Sequence, residues 1–522
     1  MRPSLVTTAT IEGYLADGHW SRETMVDRYR GFARTFPQLT ACQDEKDIYS
    51  WAALDRVTDR IAANLITMGL HRDSTALVQT ASSCREVLMR IAFKKAGIIG
   101  AFAPLQWRRK ELDYVVERIA PSLLIADSKE LNMSAEIPMR IDLSNDCREG
   151  WVDWDCLLVN VGTEIPADCP FAFDEISLIT VSSGTSGVAK LCEWPEAAQV
   201  CMGRALCDCM GFQDDDKVGI FAPMSGAAGL LVWTVSAAVP CTFCFPSTYR
   251  PGHLLDLVER WRLTISTTVP VILARLAHEE PGSRNLSTLR MLRVGTAAAD
   301  IDAARAFEIR TGCKVITASG AMECPGFGHA RPEEPIDLRL DGSVGLPLKG
   351  CRLRIDDEDD MSRTSDKFGQ VKVSAPFASS GYWNDPQGTA AVWNDGWYET
   401  GDIGRLDKIG RLTLLGRMKE TINRSGHKIL PIEIETEIAK HPSVFACAVA
   451  GASDNEYGAV PWAFVQLKAG YTLDPAMLAE RMRHSGMASY KIPVRFIEVA
   501  ELPRINGNKV DKQALLSMAT PE

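Results

Sequence analysis

Long apolar runs, an excess of basic charge, low-complexity tracts and a dense cysteine framework are all missing from these 522 residues, and each absence removes a class of function. Fifteen cysteines at irregular spacing are too dilute for a disulfide scaffold and point to a reducing, cytoplasmic setting. The nearest approaches to zinc-ligand spacing are Cys207 with Cys209 and Cys241 with Cys244. The second pair sits in VPCTFCFP, which reads as a buried strand, so small buried hydrophobes are the preferred interpretation. Lys and Arg total 57 against 67 Asp and Glu, a net charge of -10. That balance argues against nucleic acid as a general partner, since a duplex binder needs a basic surface to displace counterions. The stretch nearest to a membrane span is residues 227–245, AAGLLVWTVSAAVPCTFCF, but Pro240 divides it into a short helix and a strand, so no span is expected. The N-terminus carries no sustained apolar core, so no secretory signal is expected either.

What is present is the material of an ordinary globular enzyme: 46% hydrophobic and 24% charged residues, in a chain long enough for two or more cores. From about residue 48, amphipathic helices alternate with short apolar strands. Residues 52–69 place Leu54, Val57, Ile61, Leu65 and Ile66 at three-and-four spacing and stop at Gly69. The rhythm returns at STALVQT, SLLIAD, KVGIFAP, TTVPVILARLA and TLRMLRVGTAA. Such alternation implies largely parallel sheets covered on both faces. After about residue 342 strands and turns take over, and beyond residue 416 the pattern is that of a compact α+β unit closed by a helix near 475–484. The expected fold class is therefore α/β. A large N-terminal domain of βα-layered sheets spans 1–416 and includes a β-rich subdomain at about 342–416, and a small α+β domain spans 417–522.

Four segments carry chemistry. Residues 180–190, TVSSGTSGVAK, follow the apolar strand ISLIT and pack hydroxyls and glycines into Ser182, Ser183, Gly184, Thr185, Ser186 and Gly187, with Lys190 at the far end. A loop of this kind can turn backbone N–H groups, hydroxyls and one cation toward phosphate oxygens, and it is not the Gly-x4-Gly-Lys-Ser/Thr loop of other nucleotide binders. In GWYETGDIGRLD, Asp402 follows a glycine as if held in a tight turn, where its carboxylate could accept from a ribose diol. In GRMKETINRSGHKILPIEIE, Arg417 offers a fixed fork of donors to ribose or phosphate. ELPRINGNKVDK places Lys509 on a Gly/Asn turn. Taken singly, each also reads as an ordinary surface loop, turn acid or solvated lysine.

The order and spacing of these segments resemble the adenylate-forming superfamily of acyl-CoA synthetases, nonribosomal peptide adenylation domains and luciferases, over residues from about 20 to 516. The resemblance implies that Ser182 to Lys190 cradle the phosphates of ATP. It places Gly295, Thr296 and Ala297 beside adenine, with Ala298 reaching the acid pocket. SGAME, residues 319–323, matches the next family motif: Glu323 would help to bind Mg²⁺ and act in catalysis. Ser319 replaces the aromatic that normally flanks adenine, and Met322 stands where a Thr often meets the α-phosphate. Asp402 matches the ribose-binding acid, Arg417 the following arginine and Lys509 the catalytic lysine, although Asn508 replaces the usual Gly beside it. Lys419 matches the hinge on which the small C-terminal domain moves between two half-reactions. Ser425, Gly426, His427 and Lys428 resemble the loop that approaches the acceptor.

By the same resemblance the chain is an ATP-dependent, AMP-forming ligase. It would activate a small carboxylic acid as an acyl-adenylate, release pyrophosphate and hand the acyl group to CoA or a carrier-protein thiol. An amide synthetase that couples the acid to a free amino acid, in the manner of coronafacate ligase, is the alternative. A luciferase-like oxidase and a noncatalytic nucleotide binder are remoter ones. Expected cofactors are ATP and Mg²⁺, with CoA a further candidate. In APMSGAAGL, the wall residues Ser225, Gly226, Ala227 and Ala228 are all small, and Gly226 stands where many relatives carry an aromatic or His. A wide cavity for a cyclic or bicyclic acid follows. The absence of a recognisable wall Asp disfavours an amino acid as the acid substrate.

Overall fold

The computed structural model describes residues 6–144, 148–160, 164–182, 189–296, 299–356, 368–505 and 509–519, the side chains of Ser182, Arg504, Ile505 and Lys509 excepted. It divides into two compact units, residues 1–353 with 373–398, and residues 354–372 with 399–522.

The first unit is built on two sheets. One has seven strands in the order Val152–Asp153, Met139–Asp142, Leu123–Ala126, Thr75–Gln79, Ile99–Ala103, Ile176–Ser182 and Lys190–Pro195. All of its pairings are parallel except the last. The other has eight, running from Gly328–His329 through Lys314–Ser319, Met291–Val294, Ile265–Thr268, Lys217–Phe221, Thr242–Cys244 and Thr40–Gln43 to Ile48–Ser50. Only its two outermost pairings are antiparallel. The expected α/β class holds. The helix expected over 52–69 is Trp51–Thr67: Ser50 caps it by accepting from the N–H of Ala53, and Gly69, at φ +97°, turns the chain away. Pro240 divides 227–245 as expected, into the helix Ala227–Trp233, a 3₁₀ turn and the strand Thr242–Cys244. No described helix is long and apolar enough to cross a membrane.

Helix Cys84–Ala96 is buried along its whole length save Arg85, yet carries four further charges. Unpaired, each would cost several kcal/mol, on the order of 3–5. All are paired. Arg90 bonds Glu86 at 2.6 Å, and Lys95 meets Asp55 at 2.6 Å and Asp59 at 2.7 Å. Lys94 donates to Glu196, to Ser177 at 2.8 Å and to Gln199 at 2.9 Å. Arg90 also donates to the carbonyl of Met224 at 3.1 Å, while the N–H of Met224 donates to Ser82 at 2.8 Å. The segment leading into Gly226 is thus tied down from the buried helix.

The second unit contains a hairpin in which Asp402 faces Arg417 and Leu406 faces Leu412. It also holds a sheet of His427–Ile429, Ile422–Arg424, Gly458–Leu467 and Val444–Asp454, with Arg495–Glu498 beside Gly458–Leu467. One face of this sheet packs Ile434, Ile438 and Met482, the other Leu502 and Leu515. The closing helix is Pro475–His484, capped by Asp474, which accepts from the N–H of Met477.

Candidate active site

In the first unit the strands Ile176–Ser182 and Lys190–Pro195 form a hairpin that sets Lys190 opposite Ser182. The hydroxyl-rich loop is the connection between them; its Ser183, Gly184, Thr185, Ser186 and Gly187 lie outside the described residues, as do Ala297 and Ala298. Across the hairpin's foot, a segment ending at Trp383 runs alongside the second strand: Ser380 N–H donates to Glu193, Glu193 N–H to Gly381, and Trp383 N–H to Leu191. This brings Tyr382 in. Lys190 Nζ donates to Tyr382 Oη at 2.8 Å, and Tyr382 Oη donates to Glu323 Oε1 at 2.6 Å. The ammonium lies 3.6 Å from the same carboxylate oxygen. Burial, reinforced by the Glu323 charge, pushes the Tyr382 phenol far above its ordinary range, so it stays a neutral donor. Burial and the same carboxylate push the neighbouring Cys192 thiol up as well.

Glu323 follows the strand Lys314–Ser319 after a sharp bend. Gly320 belongs there for space: a Cβ would lie 2.7 Å from the N of Gly326 and 2.8 Å from the Cα of Pro325. Ser319 is half-buried, opposite Gly328, and Met322 is buried beside Glu323. Glu323 offers a buried hard-oxygen donor with one oxygen steadied by Tyr382. That suits a Mg²⁺ ion, which takes one or two protein carboxylates and completes its shell with water and phosphate. Gly295 directly follows the strand Met291–Val294, and Thr296 comes next at φ +81°, a backbone strained for a β-branched residue. Gly226 caps the helix Ala227–Trp233, with Ser225 and Ala227 half-buried beside it. At φ -106° it is extended, and an added Cβ would meet only the Pro223 carbonyl, at 3.5 Å. Neither backbone nor packing requires a glycine there.

In the second unit, Asp402 lies within the strand Trp397–Leu406 and not in a tight turn. The bend expected from its glycine is local: Gly401 takes φ +70° inside a continuing strand, whose register slips after Ile403. Asp402 Oδ1 pairs with Arg417 Nε at 2.8 Å, and Arg417 also donates to the Thr400 carbonyl at 3.3 Å. Lys419 is exposed in the turn Met418–Glu420. Ser425 and Gly426, at φ +49° and +85°, form a two-residue turn joining Ile422–Arg424 to His427–Ile429. Lys428 is exposed, and His427 stacks on Tyr490 with centroids 4.4 Å apart. Lys509 opens the strand Lys509–Val510, opposite Ile505.

Sequence reasoning singled out Lys190 and Glu323, which the structure brings to one spot, and did not single out Tyr382, which links them. The available signal was the polar-tipped aromatic in SSGYWND, next to a glycine that lets the backbone run close to the hairpin.

The first unit is thus an α/β body of two largely parallel sheets, with Lys190, Tyr382 and Glu323 clustered at the foot of one hairpin. Residues 30–383 match the AMP-binding enzyme family and residues 433–509 the AMP-binding enzyme C-terminal domain, so the chain belongs to that family. It is 29% identical over 501 residues to an indoleacetate–CoA ligase of Aromatoleum aromaticum, covering 93% of this chain and 96% of the relative. It is 28% identical over 519 residues to triostin synthetase I of Streptomyces triostinicus, covering 97% and 96%. In fold it is similar to the amide bond synthetase McbA of Marinactinospora thermotolerans, with a TM-score of 0.83 at 22% identity over 95% of this chain and 100% of that one. The chain is an ATP-dependent ligase that activates a carboxylic acid as its adenylate and transfers the acyl group to an acceptor.

Proposed function

We propose that the acid is a cyclic or bicyclic carboxylic acid other than an amino acid, and that the acceptor is the thiol of CoA or of a carrier protein. The observation that carries this is the wall segment. Gly226 follows Met224, which Arg90 and Ser82 tie down, and donates its own N–H to the Pro223 carbonyl, but it owes its identity neither to φ nor to crowding. Space for the acid remains as its reason. The activity named for the indoleacetate–CoA ligase relative agrees with an aromatic acid and a CoA acceptor. An amine acceptor is the second possibility, favoured by the same missing wall side chain.

Chemically, a carboxylate must attack an already anionic phosphate, which requires fixed cations and donors aimed at the α-phosphate and at departing pyrophosphate. In our assignment Ser182 to Gly187 and Lys190 hold the phosphates, Gly295, Thr296, Ala297, Ser319 and Met322 border the nucleotide, and Ala298 with Ser225 to Ala227 shape the acid pocket. Asp402 and Arg417 take the ribose, and Lys509 bridges the two reacting oxygens. Glu323 would hold Mg²⁺, which when bound offsets phosphate charge. The C-terminal domain, 417–522, moves about Lys419 to exchange Lys509 for the Ser425–Lys428 turn at the acceptor stage; this joint falls inside the second compact unit. With ATP and CoA as co-substrates and cysteines spaced too irregularly for a disulfide framework, we assign the work to the cytoplasm.

The test is mass spectrometry of reactions containing protein, Mg-ATP and a panel of aromatic, alicyclic and fatty acids, each divided between CoA and a mixture of free amino acids. A CoA thioester of a cyclic acid is expected. Amide formed with an amino acid while CoA stays unacylated would overturn the thiol assignment.

A further inference from the structure

Arg293 lies in the middle of the strand Met291–Val294, in register between Thr267 and Ile316, and is 2% exposed. Neighbours in register share a sheet face. Thr267 donates to the carbonyl of Ala228 at 3.1 Å, so this face is turned toward the helix Ala227–Trp233, whose first residues we assign to the acid pocket. Two residues on, Gly295 looks the same way, and a Cβ there would lie 3.3 Å from Arg293 Nη1 and 3.7 Å from Nη2. The guanidinium therefore ends directly beneath Gly295.

Its charge has no counter-charge among the described residues: no carboxylate pairs with it, and Nη1 has no hydrogen-bond partner. Its one ring contact is neutral: His329 Nδ1 bonds the Ala330 carbonyl at 2.9 Å, leaving Nε2 to accept from Arg293 Nε at 3.2 Å. Buried guanidinium groups are ordinarily paired because an uncompensated charge costs several kcal/mol, and nearly all buried donors find acceptors. The other buried cations among the described residues of this unit, Arg90, Lys94, Lys95 and Arg339, obey that rule. Arg293 departs from it at the spot where a ligand is expected. A small apolar residue would have served a purely structural strand.

We propose that Arg293 is a specificity-determining residue that receives a second oxygen group of the acid substrate, an anionic one such as a carboxylate or acidic hydroxyl, at the end of the pocket beneath Gly295. The inference rests on the acid-activating function above. A planar fork of donors suits two oxygen lone pairs, and in a water-poor site the pairing discriminates strongly. A site that bonds a substrate group rejects the analogue lacking it, here by roughly a hundredfold or more.

The experiment is acid-dependent ATP–pyrophosphate exchange by the full-length protein. It uses pairs of cyclic acids that differ only in carrying a carboxylate or hydroxyl against a methyl group. The wild type is expected to favour the oxygen-bearing member of at least one pair by roughly a hundredfold in kcat/KM. Arg293→Met should erase that preference while leaving exchange with the methyl analogue within a few-fold, and Arg293→Lys should retain part of it. A wild type indifferent within every pair, or an Arg293→Met protein that keeps the wild-type ranking, overturns the proposal. Should Arg293→Met fail to fold, the wild-type ranking and Arg293→Lys decide. No exchange with any acid overturns the acid-activating function itself, and this inference with it.

Discussion

Tyr382 shows how much one hydroxyl can organise. It accepts from Lys190 and donates to Glu323, joining residues 192 and 59 positions away. Tyr382→Phe is expected to lower adenylation by about ten- to a hundredfold, the cost of losing a preorganised donor, while reducing stability by only about 1 kcal/mol. Exchange kinetics alongside thermal unfolding check both halves. His329 has a different role. Burial first, and then the Arg293 charge, lower its pKa to about 3, so it is neutral in the fold. The unfolded chain takes up this proton near the ordinary pKa of about 6.5. The contribution is complete above that pH and is lost progressively as pH falls toward 3, by up to about 1.4 kcal/mol per unit. Between pH 7 and 5 the wild type should therefore lose about 2 kcal/mol more stability than His329→Gln, measured by denaturant unfolding at both pH values. Lys190 and Glu323 were legible in the sequence because each sits in a local motif. Tyr382, Arg293 and His329 were not, because what distinguishes them is a partner distant in the chain.

Among the elements, the bend at Gly320 and the helix start at Gly226 make a contrasting pair of glycines. At Gly320 an added methyl would press on backbone, and backbone cannot step aside cheaply. Gly320→Ala is expected to cost about 2 kcal/mol or more, in the range of an overpacked site, and to displace Glu323. Gly226→Ala should melt within a degree or two of wild type, since its space is open, yet shift kcat/KM toward smaller acids. A differential-scanning melt of both variants, with exchange across an acid series, separates the two cases. One helix end was legible in advance: Gly69, at φ +97°, stops the helix Trp51–Thr67, because a C-terminal glycine is local chemistry, whereas the N-caps Ser50 and Asp474 emerged only from the structure. The strand through Asp402 was misread as a turn. Gly401 does take a turn-like φ of +70°, but pairing with Leu412–Arg417 keeps the chain extended, and that partner is invisible at the level of a dipeptide.

For the molecule as a whole, alternation of strand and helix was enough for the fold class, and sheet order was not. Thr40–Gln43 lies beside Thr242–Cys244, two hundred residues on, a pairing set by which apolar faces close over one another and by no local pattern. The adenylating function makes its plainest demand at this scale, since on our proposed assignment segments from residue 182 to residue 509 serve one reaction. The direct measurement is product analysis with labelled ATP, in the presence and absence of a competent acid, for the wild type and Lys509→Ala. The expected result is acid-dependent release of pyrophosphate by the wild type, reduced about a hundredfold or more in a Lys509→Ala protein that melts normally. The labelled AMP is held in the acyl-adenylate and set free only when an acceptor or water takes the acyl group. Release of ADP and phosphate, or AMP formation indifferent to the acid or to Lys509, would contradict it.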